Sequence, residues 1–273
     1  MNYIPKIIHY CWFGNNEKPA LIKKCIESWK KYLPEYELRE WNDDDLAQCE
    51  NQYVKEAYKE KKWAFISDYF RLYALYNYGG IYLDTDNEVF KSLDEFLNLE
   101  FFTSYQEYKT PPKPFTALFG AKKGNKIVKE LLDEYNGLSF YDEHGDINLY
   151  TNTDRVEAYF MRKYNIAPPY NPNKKIELEN GVIIFPSTYF CKFDEDISYA
   201  VHHFNGSWVP NLVGKKRHYI FRKLYLKIYT ITRGYFFNEI RNIQELPVFA
   251  YPRLKKRSVV ITIGVDNSAE KNI

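Results

Sequence analysis

WAFISDYFRLYALYNYGGIYLDTDNEVF, residues 63–90, is the stretch on which the fold turns. From Ala64 to Tyr78 it holds neither proline nor glycine and is aromatic or aliphatic at nearly every position, which predicts a helix of about four turns. A helix that is apolar almost all round is a buried one. Ser67, Asp68 and Arg71 interrupt it, and because residues three or four apart share a face, Asp68 and Arg71 read as a buried polar pair. Gly79 is placed to stop the helix in the left-handed conformation. Gly80 to Leu83 then reads as a short buried strand, and Asp84-Thr85-Asp86 emerges at its carboxyl end. In open α/β sheets that edge is where ligands bind.

Upstream, the β-branched run from Ile4 to Cys11 predicts a first strand, probed at its end by Trp12-Phe13-Gly14. Pro19 to Tyr32 reads as a helix with Leu21, Cys25, Ile26 and Trp29 on one face, and Tyr36 to Trp41 as a second strand. Strand, helix and strand with short connections imply a parallel pair and an α/β class. Downstream, Thr116 to Ala121 reads as a strand and Asn125 to Tyr135 as an amphipathic helix; Gly181–Phe185 and Tyr199–His203 read as late strands. The acidic stretch around Asp142, Glu143, His144 and Asp146 reads as a solvated loop rather than a second metal cluster.

A chain of 273 residues can bury a sizeable core without cross-links. Its formal charge of +2 is too small to indicate nucleic acid. The four cysteines are widely spread with no CxxC pair, so reduced thiols and a cytoplasmic protein are expected. No signal peptide or membrane-spanning apolar run is read.

Two carboxylates one residue apart can reach a hard divalent cation from a single turn, and Mg²⁺ or Mn²⁺ commonly bridges carboxylate to substrate phosphate. A solvated Asp-x-Asp turn would look the same in isolation. Over SDYFRLYALYNYGGIYLDTD, however, the chain resembles glycosyltransferase family 32, the DXD sugar transferases of capsular polysaccharide and fungal outer-chain mannan synthesis. It is more distantly similar to the catalytic domains of clostridial glucosylating toxins. IPKIIHYCWFG resembles the same family's N-terminal motif, and HHFNGSW, residues 202–208, its closing segment.

The resemblance implies a GT-A-type α/β fold with a mostly parallel central sheet, a nucleotide-sugar donor and a bound Mn²⁺ or Mg²⁺. Ser67, Asp68 and Arg71 would bind the donor, Trp12 would stack on its base, and Asp84 would contact ribose and sugar. Asp86 would be the direct metal ligand, with Asp84 beside it; Asp84, Asp86 and Arg71 would carry the catalysis. Of the two histidines, His203 is the expected ligand from its HxxGSW spacing, with His202 the alternative, since adjacent strand residues face opposite ways. Ser207 and Trp208 would close on the diphosphate, the indole N–H as a donor. Asn152 and Asp154 are weaker candidates for touching donor or acceptor. His9 reads as a packed, hydrogen-bonded histidine.

From Ile197 to Asn238 there is no acidic residue, while Lys215, Lys216, Arg217, Arg222, Lys223, Lys227 and Arg233 accumulate among aromatic and aliphatic residues. This predicts a catalytic domain over 1–214 and a basic, aromatic helical extension over 215–273. Such a helix suits an anionic membrane surface and so a peripheral place on the inner face of the cell membrane. A core-packed helix with a solvated cationic face accounts for the same residues. The function expected is retaining, metal-dependent transfer of a hexose from a nucleotide diphosphate sugar, UDP-linked by the toxin-like resemblance, to a saccharide or lipid-linked saccharide of a cell-surface polysaccharide. A haloacid-dehalogenase-like phosphohydrolase also places DxD after an apolar strand, but Asn87-Glu88 follows the motif here and two structural units precede it. A non-catalytic glycan-binding protein on a transferase fold is the third reading.

Overall fold

The computed structural model describes residues 3–107, 111–179 and 181–205, and the strands within 215–265. The chain divides into two units, 1–142 with 150–205, and 143–149 with 206–273.

In the first unit, β-branched and aromatic runs build a seven-stranded sheet in the order β2-β1-β3-β6-β5-β8-β7. The strands are β1 (Ile7–Cys11), β2 (Glu37–Trp41), β3 (Gly80–Leu83), β5 (Phe101–Gln106), β6 (Lys113–Ala121), β7 (Ile176–Glu177) and β8 (Val182–Phe185). β1 runs parallel to β2 and β3, and β5 parallel to β8; β6 lies antiparallel between β3 and β5, and β7 antiparallel to β8. The carboxyl ends of β1, β2, β3, β5 and β8 therefore share one edge. The expected α/β class and mostly parallel sheet hold. A separate antiparallel pair, β4 (Asn87–Val89) with β9 (Ala200–His202), brings two distant segments of sequence together. The helices are α1 (Ala20–Tyr32), α2 (Asp43–Ala47), α3 (Gln52–Lys59), α4 (Trp63–Tyr78), α5 (Lys126–Asp133), α6 (Asn152–Tyr164) and α7 (Ser187–Phe190).

One core gathers Ile8, Trp29, Ile81, Leu83, Phe96, Phe102, Phe185 and Phe190. Its aromatic rings meet mainly edge to face, as their quadrupoles favour. Helix α4 buries Phe65, Ile66, Phe70, Leu72 and Leu75 together with Asp68 and Arg71. It ends at Gly79, but not in the left-handed cap expected. Gly79 has φ 70° and ψ −173°, a positive-φ extended conformation open essentially to glycine. A Cβ at Gly79 would sit 2.6 Å from the Lys123 nitrogen, and one at Gly80, φ 111°, 2.7 Å from the Ile7 carbonyl oxygen. Both glycines are demanded by the close approach of neighbouring backbone as α4 turns into β3. All four cysteines are free thiols.

The second unit corrects the expected helical extension. β10 (Lys215–Phe221), β11 (Leu224–Thr232), β12 (Leu246–Leu254) and β13 (Arg257–Val265) form an antiparallel sheet in the order β10-β11-β13-β12. Tyr225, Ile228 and Ile231, which fall in the stretch read as helical, are aromatic or β-branched and favour strands. Their strand pairs with the adjacent Lys215–Phe221 and with Arg257–Val265, and the second pairing is non-local and invisible to local periodicity. Residues 257–265 supply that second partner strand. Pro247 and Pro252 fall in β12, an edge strand, where a missing N–H is tolerated. No helix among the described residues is long and apolar enough to cross a membrane.

Candidate active site

At the end of β3 the chain turns through Asp84–Asp86 and leaves as β4. The Asp84 N–H donates to the Ala117 carbonyl at 2.7 Å and the Asn87 N–H to the Asp84 carbonyl at 2.9 Å. The Asn87 amide adds bonds to the carbonyls of Asp84 (3.2 Å) and Ala117 (3.0 Å), and the Trp29 indole donates to the Asn87 carbonyl at 2.8 Å. Asn87 is fully buried. It fixes the backbone beneath the two carboxylates, a role sequence reading missed; its position directly after the DxD is the only local signal.

Asp84 is held from one side by Arg71, whose Nη2 lies 2.9 Å from Oδ1. The same nitrogen stands 3.3 Å from Asp68, and the guanidinium lies 4.6 Å over the Tyr82 ring. Arg71 Nε donates to the Ser67 carbonyl at 3.2 Å, while the Ser67 hydroxyl donates to the Trp63 carbonyl at 3.0 Å. Asp68 accepts the Asn152 backbone N–H at 3.1 Å, at the first turn of α6. The Asn152 side chain is only 1% exposed, and neither of its polar atoms has a hydrogen-bond partner among the described residues. Burial pushes the Asp68 carboxyl up to about 6, against the pull of Arg71. Burial likewise raises Asp84, with Arg71 again opposing.

Asp86 lies on the other side. His202 Nε2 is 3.1 Å from its Oδ1, and the Asn205 N–H donates to Oδ2 at 2.8 Å. Burial pushes this carboxyl up, but the bonds from His202 and Asn205 outweigh it and hold Asp86 below the usual carboxylate range. The Asn205 contact depends on Phe204, a non-glycine residue at φ 51°, which reverses the chain after β9 and sets its ring 4.0 Å from the His202 ring. One ligand atom each from Asp84, Asp86 and His202 lie within 4.8 Å of one another. Two carboxylates and an imidazole at that spacing fit a divalent cation that accepts oxygen and nitrogen donors.

His203, the expected ligand, is corrected by this arrangement. Its N–H donates to the Asp86 carbonyl at 3.0 Å, and its ring sits on Glu88 at 2.9 Å, where Lys24 also binds at 2.8 Å. β9 pairs His202 with Asn87, so His202 reaches the turn and its neighbour is carried to the other side. Asp154 also departs from expectation. It sits at the third position of α6, caps that helix through Thr151, and pairs with Lys113 at 2.9 Å. Ser207 and Trp208 lie outside the described residues.

Trp12 follows β1 on the same edge, half-buried, with its N–H on the Trp41 carbonyl at 2.9 Å. Its indole N–H is taken by the Asn16 carbonyl at 2.7 Å, and Lys18 stands 5.4 Å over the ring. His9 is buried: the Trp41 indole donates to Nδ1 at 3.3 Å, so Nε2 carries the proton and donates to the Gly79 carbonyl at 2.8 Å. Burial lowers its pKa to about 4, which keeps it neutral.

The α/β sheet thus carries a DxD turn at its carboxyl edge, flanked by a buried aspartate–arginine pair. Residues 19–103 match the family described as the glycosyltransferase sugar-binding region containing DXD motif. An uncharacterized glycosyltransferase of Acanthamoeba polyphaga mimivirus is 25% identical over 220 residues, covering 77% of this chain and 85% of that protein. Inositol phosphoceramide mannosyltransferase 3 of Schizosaccharomyces pombe is 27% identical over 140 residues, 47% of this chain and 36% of that protein, so the chain spans little more than a third of that relative. Among solved structures, the PaToxG glycosyltransferase is similar at a TM-score of 0.47 and 19% identity, over 60% of this chain and 71% of that one. The galactosyltransferase LgtC gives a TM-score of 0.36 at 14% identity, over 67% and 74%. Residues 19–103 thus match the DXD-containing sugar-binding region of glycosyltransferases, and the relatives that align beyond that region are described as glycosyltransferases.

Proposed function

We propose that the protein transfers a hexose from a nucleotide diphosphate sugar to a saccharide acceptor, with a divalent cation held by Asp84, Asp86 and His202. The observation that carries this reading is the convergence of those three side chains beside the Arg71 pair, from segments more than a hundred residues apart in sequence. A bound Mn²⁺ or Mg²⁺ would neutralise charge on the diphosphate as the sugar leaves. Arg71, fixed by Asp68, Asp84 and Tyr82, supplies a second positive charge preorganised at the same edge. Asp68 and the unpaired amide of Asn152 are suited to sugar hydroxyls, which both donate and accept. The Trp12 ring, its N–H already spent, offers a face to the base. Ser207 and Trp208 are assigned to the diphosphate by their motif alone.

Retention of anomeric configuration is proposed from the resemblance, as are a UDP-linked donor and a cell-surface polysaccharide acceptor, lipid-linked or not. A GDP-linked mannosyl donor is the second reading, favoured by the similarity over 140 residues to a protein described as a mannosyltransferase. Peripheral association with an anionic membrane is carried by the cationic residues of 215–233 alone, since the helix first invoked for it is replaced by strands.

A thermal-shift screen of UDP- and GDP-sugars with and without Mn²⁺, followed by metal-stimulated hydrolysis of the best stabiliser, tests the reading. Stabilisation that needs both nucleotide sugar and metal, with turnover, is expected. Release of phosphate from simple esters would favour the phosphohydrolase, and binding without turnover the glycan-binding protein.

A further inference from the structure

The turn that carries Trp12 is held from outside its own strand. It places two successive residues at positive φ, Gly14 at 90° and Asn15 at 52°, and the Trp12 indole closes it by donating to the Asn16 carbonyl at 2.7 Å. Glycine is required at position 14 by that φ and by space, since a Cβ there would stand 2.9 Å from the Trp63 indole. Phe13 is buried, its ring 5.3 Å from that of Phe70, so α4 pins the turn on one side. The Gly14 N–H faces the corner between β2 and α2. There it donates to Asp43, 3.0 Å from one carboxylate oxygen and 3.2 Å from the other. Asp43 is the first residue of α2, yet the start of that helix is satisfied without it. The Asn42 side chain accepts the Asp44 N–H at 2.9 Å, and Asp45 accepts the Asn42 N–H at 3.1 Å, a reciprocal cap. Asp45 also pairs with Arg39. Of three consecutive aspartates, Asp43 is the one directed to a partner 29 residues away in the chain.

We propose that Asp43 is a positioning residue for nucleotide binding. Through the Gly14 N–H it fixes the turn whose last carbonyl, that of Asn16, orients the Trp12 ring. This rests on the reading of Trp12 as the face on which the base stacks. A bond from a backbone N–H to a carboxylate is charge-assisted and stronger than a neutral one. Without it the part-buried Gly14 N–H is unmatched, and two positive-φ residues lose the contact that over-determines them. The turn then relaxes, the Asn16 carbonyl leaves the indole N–H, and the ring loses its fixed place. A stacking platform binds through the placement of its face, so nucleotide affinity falls. Asp84, Asp86 and Arg71 stand on α4 and at the end of β3, where other contacts hold them, so the bond-breaking step is spared.

The test uses the full-length protein with Mn²⁺, in calorimetric titrations with UDP and GDP and in hydrolysis of UDP-glucose and GDP-mannose. Asp43→Ala should raise the nucleotide Kd and the donor KM by about 3–10-fold with kcat little changed. Asp43→Asn, which keeps an acceptor oxygen for the Gly14 N–H, should recover most of the loss. In the Trp12→Ala background Asp43→Ala should add nothing, because the ring it places is gone. A KM unmoved by Asp43→Ala, or an effect that persists undiminished without Trp12, overturns the proposal. Should Asp43→Ala not fold, Gly14→Ala, which strains the same turn and crowds Trp63, must raise KM in its place, and an unmoved KM overturns the proposal equally. Failure of the underlying reading appears separately, as a donor KM that Trp12→Ala leaves unchanged, and it removes this proposal with it.

Discussion

The two flanks of the DTD turn are built differently. On the arginine flank, Asp68, Arg71 and Tyr82 are buried and lock Asp84 through contacts that leave little room for exchange. On the histidine flank, Asp86 and His202 are partly buried and Asn205 is exposed, and the His202–Asp86 contact is one an incoming cation would replace. One side preserves geometry and the other exchanges ligands. The difference follows from the partners. Arg71 parted from its carboxylates would leave an uncompensated buried charge, whereas the His202–Asp86 contact joins two groups that can both ligate a cation in its place.

The largest effect expected is on the exchanging flank. Asp86→Asn should abolish metal-stimulated turnover, a loss of several kcal/mol or on the order of 10³-fold, with the circular dichroism spectrum and melting temperature unchanged. Arg71→Met should cost activity and also stability, about 3–5 kcal/mol, because Asp68 and Asp84 are left buried without their partner. Equal stability by denaturant unfolding would mean that the arginine flank is not the rigid one. His202→Ala should weaken Mn²⁺ affinity by about 10–100-fold, measured by calorimetry, while His203→Ala leaves it near the original value. The reverse ranking would return the ligand to His203. Trp12→Ala should be the mildest, raising the donor KM by about 10-fold with kcat little changed, since stacking contributes about 1–3 kcal/mol per base.

Much of the locking flank was legible before any coordinates. Asp68 and Arg71 sit three apart on a helix whose other residues demand burial, so their pairing follows from helical geometry. The strand and turn after Gly79-Gly80 were equally plain, although the conformation at Gly79 was not. The exchanging flank depends on β4 meeting β9, which joins Asn87 to His202 across the chain. Spacing alone put His203 forward, and only the register of that pair chose its neighbour. The strands of 215–265 escaped for a similar reason, because aromatic and β-branched residues at helical spacing are also good strand formers.

By itself, then, the sequence determined a buried α4, the strand that follows it, the DTD turn at a sheet edge and the aspartate–arginine pair, all of which are local in the chain. Tertiary structure alone decided which histidine joins the carboxylates and that Asn87, held against Ala117 and Trp29, braces the turn. Each of these depends on strand register or on helix docking between segments far apart in the chain. Contacts of that kind are set by packing of the whole core, and short-range periodicity carries no trace of them.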